Sequence, residues 1–353
     1  MSMFEVEVKR IVEKREHPDA DTLAIFKIED IDLQLIGSIK YEIGDKVVYC
    51  PLDAVLPDWL LERLDLLGRL GGTQKNRVKA IRLRGIISQG LIFPVDLVSD
   101  KIGPNDEIVT DLLGITKYEE PEVIGQATIK GSLPSYVIHY DIQNAFRYKK
   151  VFNALIDAKT NGVVTEKLDG TNWSCAVLKN GTVSVHSHKC EVSPEDALYW
   201  PAAEKYEWPA RLQGLLTEFG FESIVAYGEL IGPKIQKNPY GLAERELRIF
   251  DILVNGSFVD YQQFQKMIRI SNRHARVFRP EQTLVAPRIY HGDLHRFVGM
   301  LPLDGLATGA SLLNPEKMRE GIIIKPLIEQ TDLKLGRVIF KLKSPEFLIK
   351  AEG

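Results

Sequence analysis

Short alternating runs broken by glycine and proline fill the first third of the chain. Glu5 to Val12 alternates apolar and polar positions, Leu23–Ile28 and Leu33–Ile39 read as two further strands, and Gly44-Asp45 leads into a fourth at Lys46–Cys50. Apolar residues at helical spacing predict a helix over Pro57–Leu67, with Trp59, Leu60, Leu64 and Leu67 on one face. Arg77–Leu83 is another strand, and Gly85 and Gly90 punctuate a last pair ending at Ile92-Phe93-Pro94. Several short strands, one helix and many glycines predict a small closed β-barrel over residues 1–115.

Beyond that the elements lengthen. Residues 116–127, with Tyr118-Glu119-Glu120, Pro121 and Gly125, read as a linker, and 128–353 as a second domain. A helix-like run from Gln143 to Ile156 closes at Thr160-Asn161-Gly162. Val163-Val164 then reads as buried strand, Lys167 as the turn, and Asn172–Val177 as the strand that returns along it. Asn180-Gly181 signals a hairpin into Val183–His188. Ser193 to Gly220 reads mostly as helix, with Tyr199, Trp200, Tyr206, Trp208 and Phe219 packing the core. Strands follow at Ser223–Leu230, Leu247–Leu253, Glu320–Pro326 and Arg337–Lys343, with an amphipathic helix over Asp260–Val277.

Composition narrows the class. At 353 residues, 44% hydrophobic and 26% charged, the chain is globular and long enough for two domains. It contains no apolar run of membrane-spanning length and no leader pattern, so an intracellular place, cytoplasmic or nuclear, and no membrane contact are expected. Cys50, Cys175 and Cys190 lack zinc spacing and read as core thiols. The net charge of −3 excludes a generally basic nucleic-acid binder. It hides an asymmetry, because residues 1–120 hold 16 Lys and Arg against 22 Asp and Glu. Inside that acidic third, Gly68–Gly90 carries Arg69, Lys75, Arg77, Lys79, Arg82 and Arg84 and no acid. Either it faces phosphates or it guards a solvated edge strand. A second stretch of this kind is the Gly/Pro-bounded loop 231–241, where Lys234, Lys237 and Tyr240 suit a sugar–phosphate strand.

The chemistry centres on Glu166-Lys167-Leu168-Asp169-Gly170-Thr171-Asn172. A lysine attacks phosphorus only as a neutral amine, so its pKa must fall from about 10.4 toward working pH. Burial, nearby cations or a metal ion do that. Asp169 can hold such a metal, and Gly170 permits close approach of a nucleotide. Glu229 ends an apolar strand, which is costly unless it meets a cation, a ribose or a donor. Lys341 and Lys343 fall on one face of the last strand, and a polyphosphate between them relieves their repulsion.

Taken in order, Glu166-Lys167-x-Asp169-Gly170, Gly228-Glu229-Leu230, Phe250-Asp251, Glu320-Gly321 and Lys341-x-Lys343 resemble the motifs of the covalent nucleotidyltransferase superfamily of polynucleotide ligases and capping enzymes. Lys-Leu-Asp-Gly-Thr-Asn-Trp-Ser is most similar to ATP-dependent RNA ligases, in the clade with an N-terminal OB module. His17-Pro18-Asp19-Ala20-Asp21 likewise resembles a phrase of tRNA-binding OB domains.

The resemblance implies an α+β chain. An OB-like barrel that binds RNA is followed by an adenylyltransferase domain of antiparallel sheets with flanking helices, and no further domain is expected after it. It implies that Lys167 takes AMP from ATP, passes it to an RNA 5′-phosphate, and that a 3′-hydroxyl then seals the strand, with nicked duplexes as substrate. Asp169, Glu229 and Glu320 would hold magnesium or manganese; Lys341 and Lys343 the α-phosphate; Phe250 the adenine. Glu166, Gly170, Asn172 and Lys189 would line the nucleotide. No protein partner is implied, and a monomer is expected. One phrase departs: where the family places Ser-Arg, this chain has Ser187-His188-Lys189, which supplies charge without a bidentate fork. A DNA ligase or a capping guanylyltransferase on the same scaffold, and a non-catalytic RNA-binding protein, are the alternatives.

Overall fold

The computed structural model describes residues 4–119, 128–276 and 285–352. Contacts divide the chain into two compact units. One comprises residues 2–120, 144–152 and 345–353; the other comprises 121–143 and 153–344.

In the first unit, strands Glu7–Glu16, Leu23–Ile28, Ile31–Ser38, Lys46–Cys50 and Leu91–Pro94 form one antiparallel sheet. The sheet curls on itself. Gln34 and Ile36, on one edge strand, meet the short strand Ile86–Ser88: Gln34 Nε2 donates to the Ile87 carbonyl at 2.8 Å, and the Ile36 N–H to Ser88 Oγ at 3.0 Å. Closure of this kind removes exposed edges. Val48, Leu56, Leu60, Val98 and Val109 form a dry core with the helix Asp58–Arg63 over it. His17 is a buried turn residue, bonded to the Leu83 carbonyl. The expected strand at Arg77–Leu83 shortens to Ile81–Leu83, paired with Ile86–Ser88. Of the expected linker, Thr116–Lys117 pairs with Ala54–Val55, and residues 120–127 lie outside the described residues.

The helix-like run expected from Gln143 becomes a short strand and then a helix at Lys149–Asp157. Basic residues at and just before its start bond within the first unit, to which 144–152 belong: Lys150 meets Asp30 at 2.8 Å, Lys149 meets Asp32, and Arg147 Nη2 donates to the Glu5 backbone carbonyl.

The second unit holds two antiparallel sheets. The larger orders Ile129–Ser132, Cys190–Val192, Val183–His186, Thr171–Leu178, Ser223–Ile231, Glu246–Val254 and Ser257–Phe258 side by side. The smaller runs Phe340–Lys343, Gly321–Pro326, Asn161–Lys167, Arg288–Asp293 across its main body. Alternation sends Trp173, Cys175 and Val177 to one face, where the helices Tyr199–Lys205, Trp208–Phe219 and Tyr261–Ser271 cover them. Tyr199, Tyr206 and Trp208 are buried there and Trp200 is half-buried. Phe219 departs from expectation: 38% exposed, it stacks on Phe221 at the helix end instead of entering the core. The helix expected to reach Val277 ends at Ser271, and Val277 lies outside the described residues.

Candidate active site

Lys167 ends the strand Asn161–Lys167, in the middle of the smaller sheet, while Thr171–Leu178 belongs to the larger one. The turn between them carries the chain from sheet to sheet, so the expected hairpin return does not form. The cause is Leu168, which is buried with Ile231, Tyr240 and Ala286 and pulls the turn down between the layers. Gly170 is needed there because a Cβ would sit 2.6 Å from the Leu230 carbonyl oxygen and 2.7 Å from Glu229 Cγ. It makes room for a neighbouring strand, which brings Glu229 beside the lysine turn. Gly321 does the same on the other side: its Cβ would lie 2.0 Å from the Leu342 oxygen.

Gly321 is cross-strand partner to both Lys167 and Lys343. Glu320, the residue before it, is buried between two ammonium groups. Lys167 Nζ donates to Oε2 at 2.6 Å, and Lys343 Nζ meets Oε1 at 2.9 Å. Burial alone would raise this carboxyl, but Lys167 and Lys343 outweigh it and hold it well below the usual carboxylate range. The repulsion expected between the last-strand lysines is therefore relieved on Lys343 by Glu320. Lys341 shares that face with no ion-pair partner among the described residues, and burial followed by the Lys343 charge pushes its ammonium down to about 8. Glu229 has shifted the opposite way. Burial pushes its carboxyl up to about 8; Lys167 opposes the rise, and Glu320 and Asp169 add to it. An acid and a base, a few side chains apart, are thus both held far from their ordinary ionisation.

Glu166 points away from Lys167, as strand alternation requires, and is buried. Its Oε2 accepts the Leu312 N–H at 2.7 Å, and Oε1 has no hydrogen-bond partner among the described residues. Asn172 pairs across the larger sheet with Glu229. Phe250 owes its place to an irregularity. Tyr227 faces Asp251 and Gly228 faces Ile249, so Phe250 is the extra residue of a β-bulge. Bulges re-aim side chains beside sites. Here the partly exposed ring leans on Tyr140, with centroids 4.8 Å apart. Lys189 lies in the turn between Val183–His186 and Cys190–Val192. Its neighbour His188 is half-buried against His139, and burial followed by that imidazole pushes it down to about 4, so it is neutral at physiological pH. Within Ser187-His188-Lys189 the charge therefore rests on Lys189.

Sequence reasoning missed a second charged group. Asp251 is fully buried and accepts from Lys325 at 3.0 Å, from Arg337 Nη2 at 2.7 Å and from the Tyr140 hydroxyl at 2.7 Å. Arg337 also bonds Glu329 and lies 3.7 Å over the Phe258 ring. The available signal was Lys325, a lysine at the end of the apolar run Ile322–Ile324.

The basic stripe divides. Arg77 is turned inward onto Asp53 and lies 3.7 Å over the Tyr118 ring, which makes it a structural cation. Arg82 and Arg84 are exposed and bond only to the carbonyls of Gly85 and Asp19. Lys79 packs its stem against Gly71. In the second unit, Lys234 and Lys237 are exposed and unpaired with any acid among the described residues.

Among the described residues, no three His, Cys, Asp or Glu side chains converge as a ready metal cage. The donor chemistry still fits a hard divalent ion at Glu229 and Asp169: the raised Glu229 carboxyl marks oxygens short of positive charge. Glu320 fits less well as it stands, with both oxygens bonded to lysines.

A family model described as RNA ligase matches residues 161–343, and one described as an OB-fold domain matches residues 5–95. No curated protein matches the chain. Among solved structures, Naegleria gruberi RNA ligase with pyrophosphate aligns over 98% of both chains at 22% identity and a TM-score of 0.80. An arginine-to-alanine mutant of that enzyme with ATP and manganese gives the same values. A lysine-to-methionine mutant with AMP and manganese aligns over 97% of each chain at 22% identity and a TM-score of 0.78. This similarity establishes a shared α+β fold, with an OB-type barrel ahead of a two-sheet domain.

Proposed function

The chain belongs to the RNA ligase family, and from that premise we propose that it seals 3′-hydroxyl and 5′-phosphate RNA ends with ATP, its substrate being a nick in a duplex. The observation that carries this reading is the Lys167–Glu320–Lys343 array, with Lys341 and Glu229 beside it. In the free protein Lys167 Nζ donates a proton in a hydrogen bond to Glu320 Oε2. It loses that proton to solvent, and its amine attacks the α-phosphorus. A P–N bond forms, the bond to the bridging oxygen breaks, and pyrophosphate leaves. Lys341 and Lys343 take the charge that develops on the phosphate oxygens, since phosphoryl transfer is mainly positioning and charge neutralisation. Glu229 and Asp169 are the residues that would hold magnesium or manganese, which supplies positive charge at the α-phosphate when bound. Phe250, aimed by its bulge, stacks on the adenine. Glu166, with one oxygen unpartnered, accepts from the exocyclic amine, a contact guanine does not offer there. AMP then passes to the RNA 5′-phosphate, with Asn172 and Lys189 contacting the nucleotide, and the 3′-hydroxyl displaces it.

The OB-type barrel, through Arg82 and Arg84, and the loop carrying Lys234 and Lys237 hold the RNA backbone; Lys79 adds to the former, and Arg77 serves by shaping it. The test is sealing of matched nicked duplexes with ATP and magnesium, varying only the sugar at the 3′-hydroxyl end. Sealing that requires a ribose there supports the reading. Equal sealing of DNA, or labelling by GTP in place of ATP, overturns it.

A further inference from the structure

The loop after the Glu229 strand is built in an unusual way. Lys234, Gln236, Lys237 and Asn238 all have φ between 43 and 66 degrees, in the left-handed region that side-chain-bearing residues rarely enter. Each such residue is strained and persists only where the surroundings over-determine it. Here they do. Asn238 clamps the loop base with a reciprocal pair of bonds to Leu242, at 2.9 and 3.1 Å. Asn314 Nδ2 donates to the Tyr240 carbonyl at 3.3 Å. The outcome of this strained path is the place of Tyr240. It is 6% exposed, packs on Leu168 and Ile231, and its hydroxyl accepts the Asp169 backbone N–H at 2.7 Å.

That N–H lies in the turn that leaves one sheet for the other, outside both the Asn161–Lys167 and the Thr171–Leu178 strands. The geometry points to Tyr240 as a positioning residue: its hydroxyl fixes the Lys167–Asp169 turn, and with it the direction of the Lys167 amine, without touching the nucleotide. The inference rests on the ligase reading above and deepens it.

Tyr240→Phe removes the hydroxyl and leaves the packing. A loose turn slows the step in which Lys167 attacks but leaves later steps, which need no attack by Lys167, largely intact. We therefore expect self-adenylylation by labelled ATP to slow about tenfold, the consequence of one lost bond to a buried N–H. The ATP concentration for half-maximal rate should not move, and the thermal midpoint should stay within about 2 °C. Sealing of a nick that already carries a 5′-adenylate should stay near the wild-type rate. A variant that labels as fast as wild type, or one that loses both steps together, overturns the inference. A wild-type protein that takes no label removes the ligase reading itself, whereas labelled wild type beside an unchanged variant removes this inference alone.

Discussion

Two buried charge groups sit in the second unit, and they are built on opposite plans. Around Asp251 every charge has its counter-charge: Lys325 and Arg337 on the aspartate, Glu329 on the arginine, and Tyr140 filling the remaining lone pair. Burial should raise the Asp251 carboxyl, yet Lys325 and Arg337 hold it below its usual range. Each of these side chains thus has its partner within the group. Around Glu320 the pairing is uneven. Two lysines share one carboxylate, Lys341 is pushed down to about 8, and Glu229 is pushed up to about 8. A closed group of charges holds a fold together. An uneven one holds positions for charges that arrive with a substrate.

Removing the central group of each should therefore have different consequences. The largest effect is at the uneven group. Lys167→Ala should abolish transfer of label from α-labelled ATP to the protein, a loss on the order of 10⁴-fold or more, and Lys167→Arg should do no better, since arginine cannot become a neutral amine. Folding should suffer less than in an Asp251 variant, because Lys343 stays on Glu320 and the Lys167 side chain is partly exposed. A labelled adduct in Lys167→Ala would mean that the nucleophile lies elsewhere. Asp251→Asn should do the reverse in kind. It strands two buried cations, costs about 3–5 kcal/mol, and should lower the thermal midpoint by roughly 10 °C. Scanning calorimetry of Asp251→Asn beside Glu320→Gln breaks the comparison if the Glu320 variant melts lower.

The same contrast explains what could be read from residues alone. The Glu320 group was legible because its members recur in short phrases whose spacing follows strand alternation: Lys341 and Lys343 must share a face, and Gly321 must admit a neighbour. The barrel was legible because each strand alternates. The Asp251 group was not, because Tyr140 and Glu329 lie in irregular segments and nothing local ties either of them, or Arg337, to Asp251. Phe250 was identified as a base-stacking candidate, but its aim comes from a bulge, and a one-residue register shift leaves no trace in periodicity. The hairpin expected after Lys167 failed for a related reason. Local pattern says that two strands follow one another; only the burial of Leu168 decides that they part into different sheets.

The uneven group should also be visible in pH dependence. The Glu229 carboxyl stands at about 8 in the fold against 4.5 outside it. The folded protein thus holds the extra proton across that window, and stability falls as pH rises through it. Lys341 stands at about 8 against 10.5, so the unfolded chain holds more protons above 8 and stability rises again. Together they give a minimum in the thermal midpoint of the ligand-free protein near pH 8. Glu229→Gln should flatten the falling limb and Lys341→Met the rising one. Magnesium should lift the midpoint at pH 8 in wild type and much less in Glu229→Gln. Identical profiles in all three proteins would show that neither group is poised.

The smallest effects concern RNA, where the distinction between committed and uncommitted charge applies again. Arg77 is committed to Asp53 and Tyr118, whereas Arg82 and Arg84 bond only to carbonyls and Lys234 and Lys237 to no acid among the described residues. A phosphate contact releases a condensed counterion, so losing one reduces the salt dependence of binding by about one unit of slope. Single changes Arg82→Ala, Arg84→Ala and Lys237→Ala should each weaken binding of a nicked RNA duplex severalfold and reduce that slope, with self-adenylylation untouched. Arg77→Ala should lower the melting point, because it leaves Asp53 without its cation, and should not produce the one-unit change in slope. Point variants are preferable to deletion of residues 1–115, because 144–152 and 345–353 belong to the same compact unit and would lose their packing. Fluorescence anisotropy across a salt series separates the two kinds of arginine. If Arg77→Ala changed the slope and Arg82→Ala did not, burial and pairing would be poor guides to which cations meet the RNA.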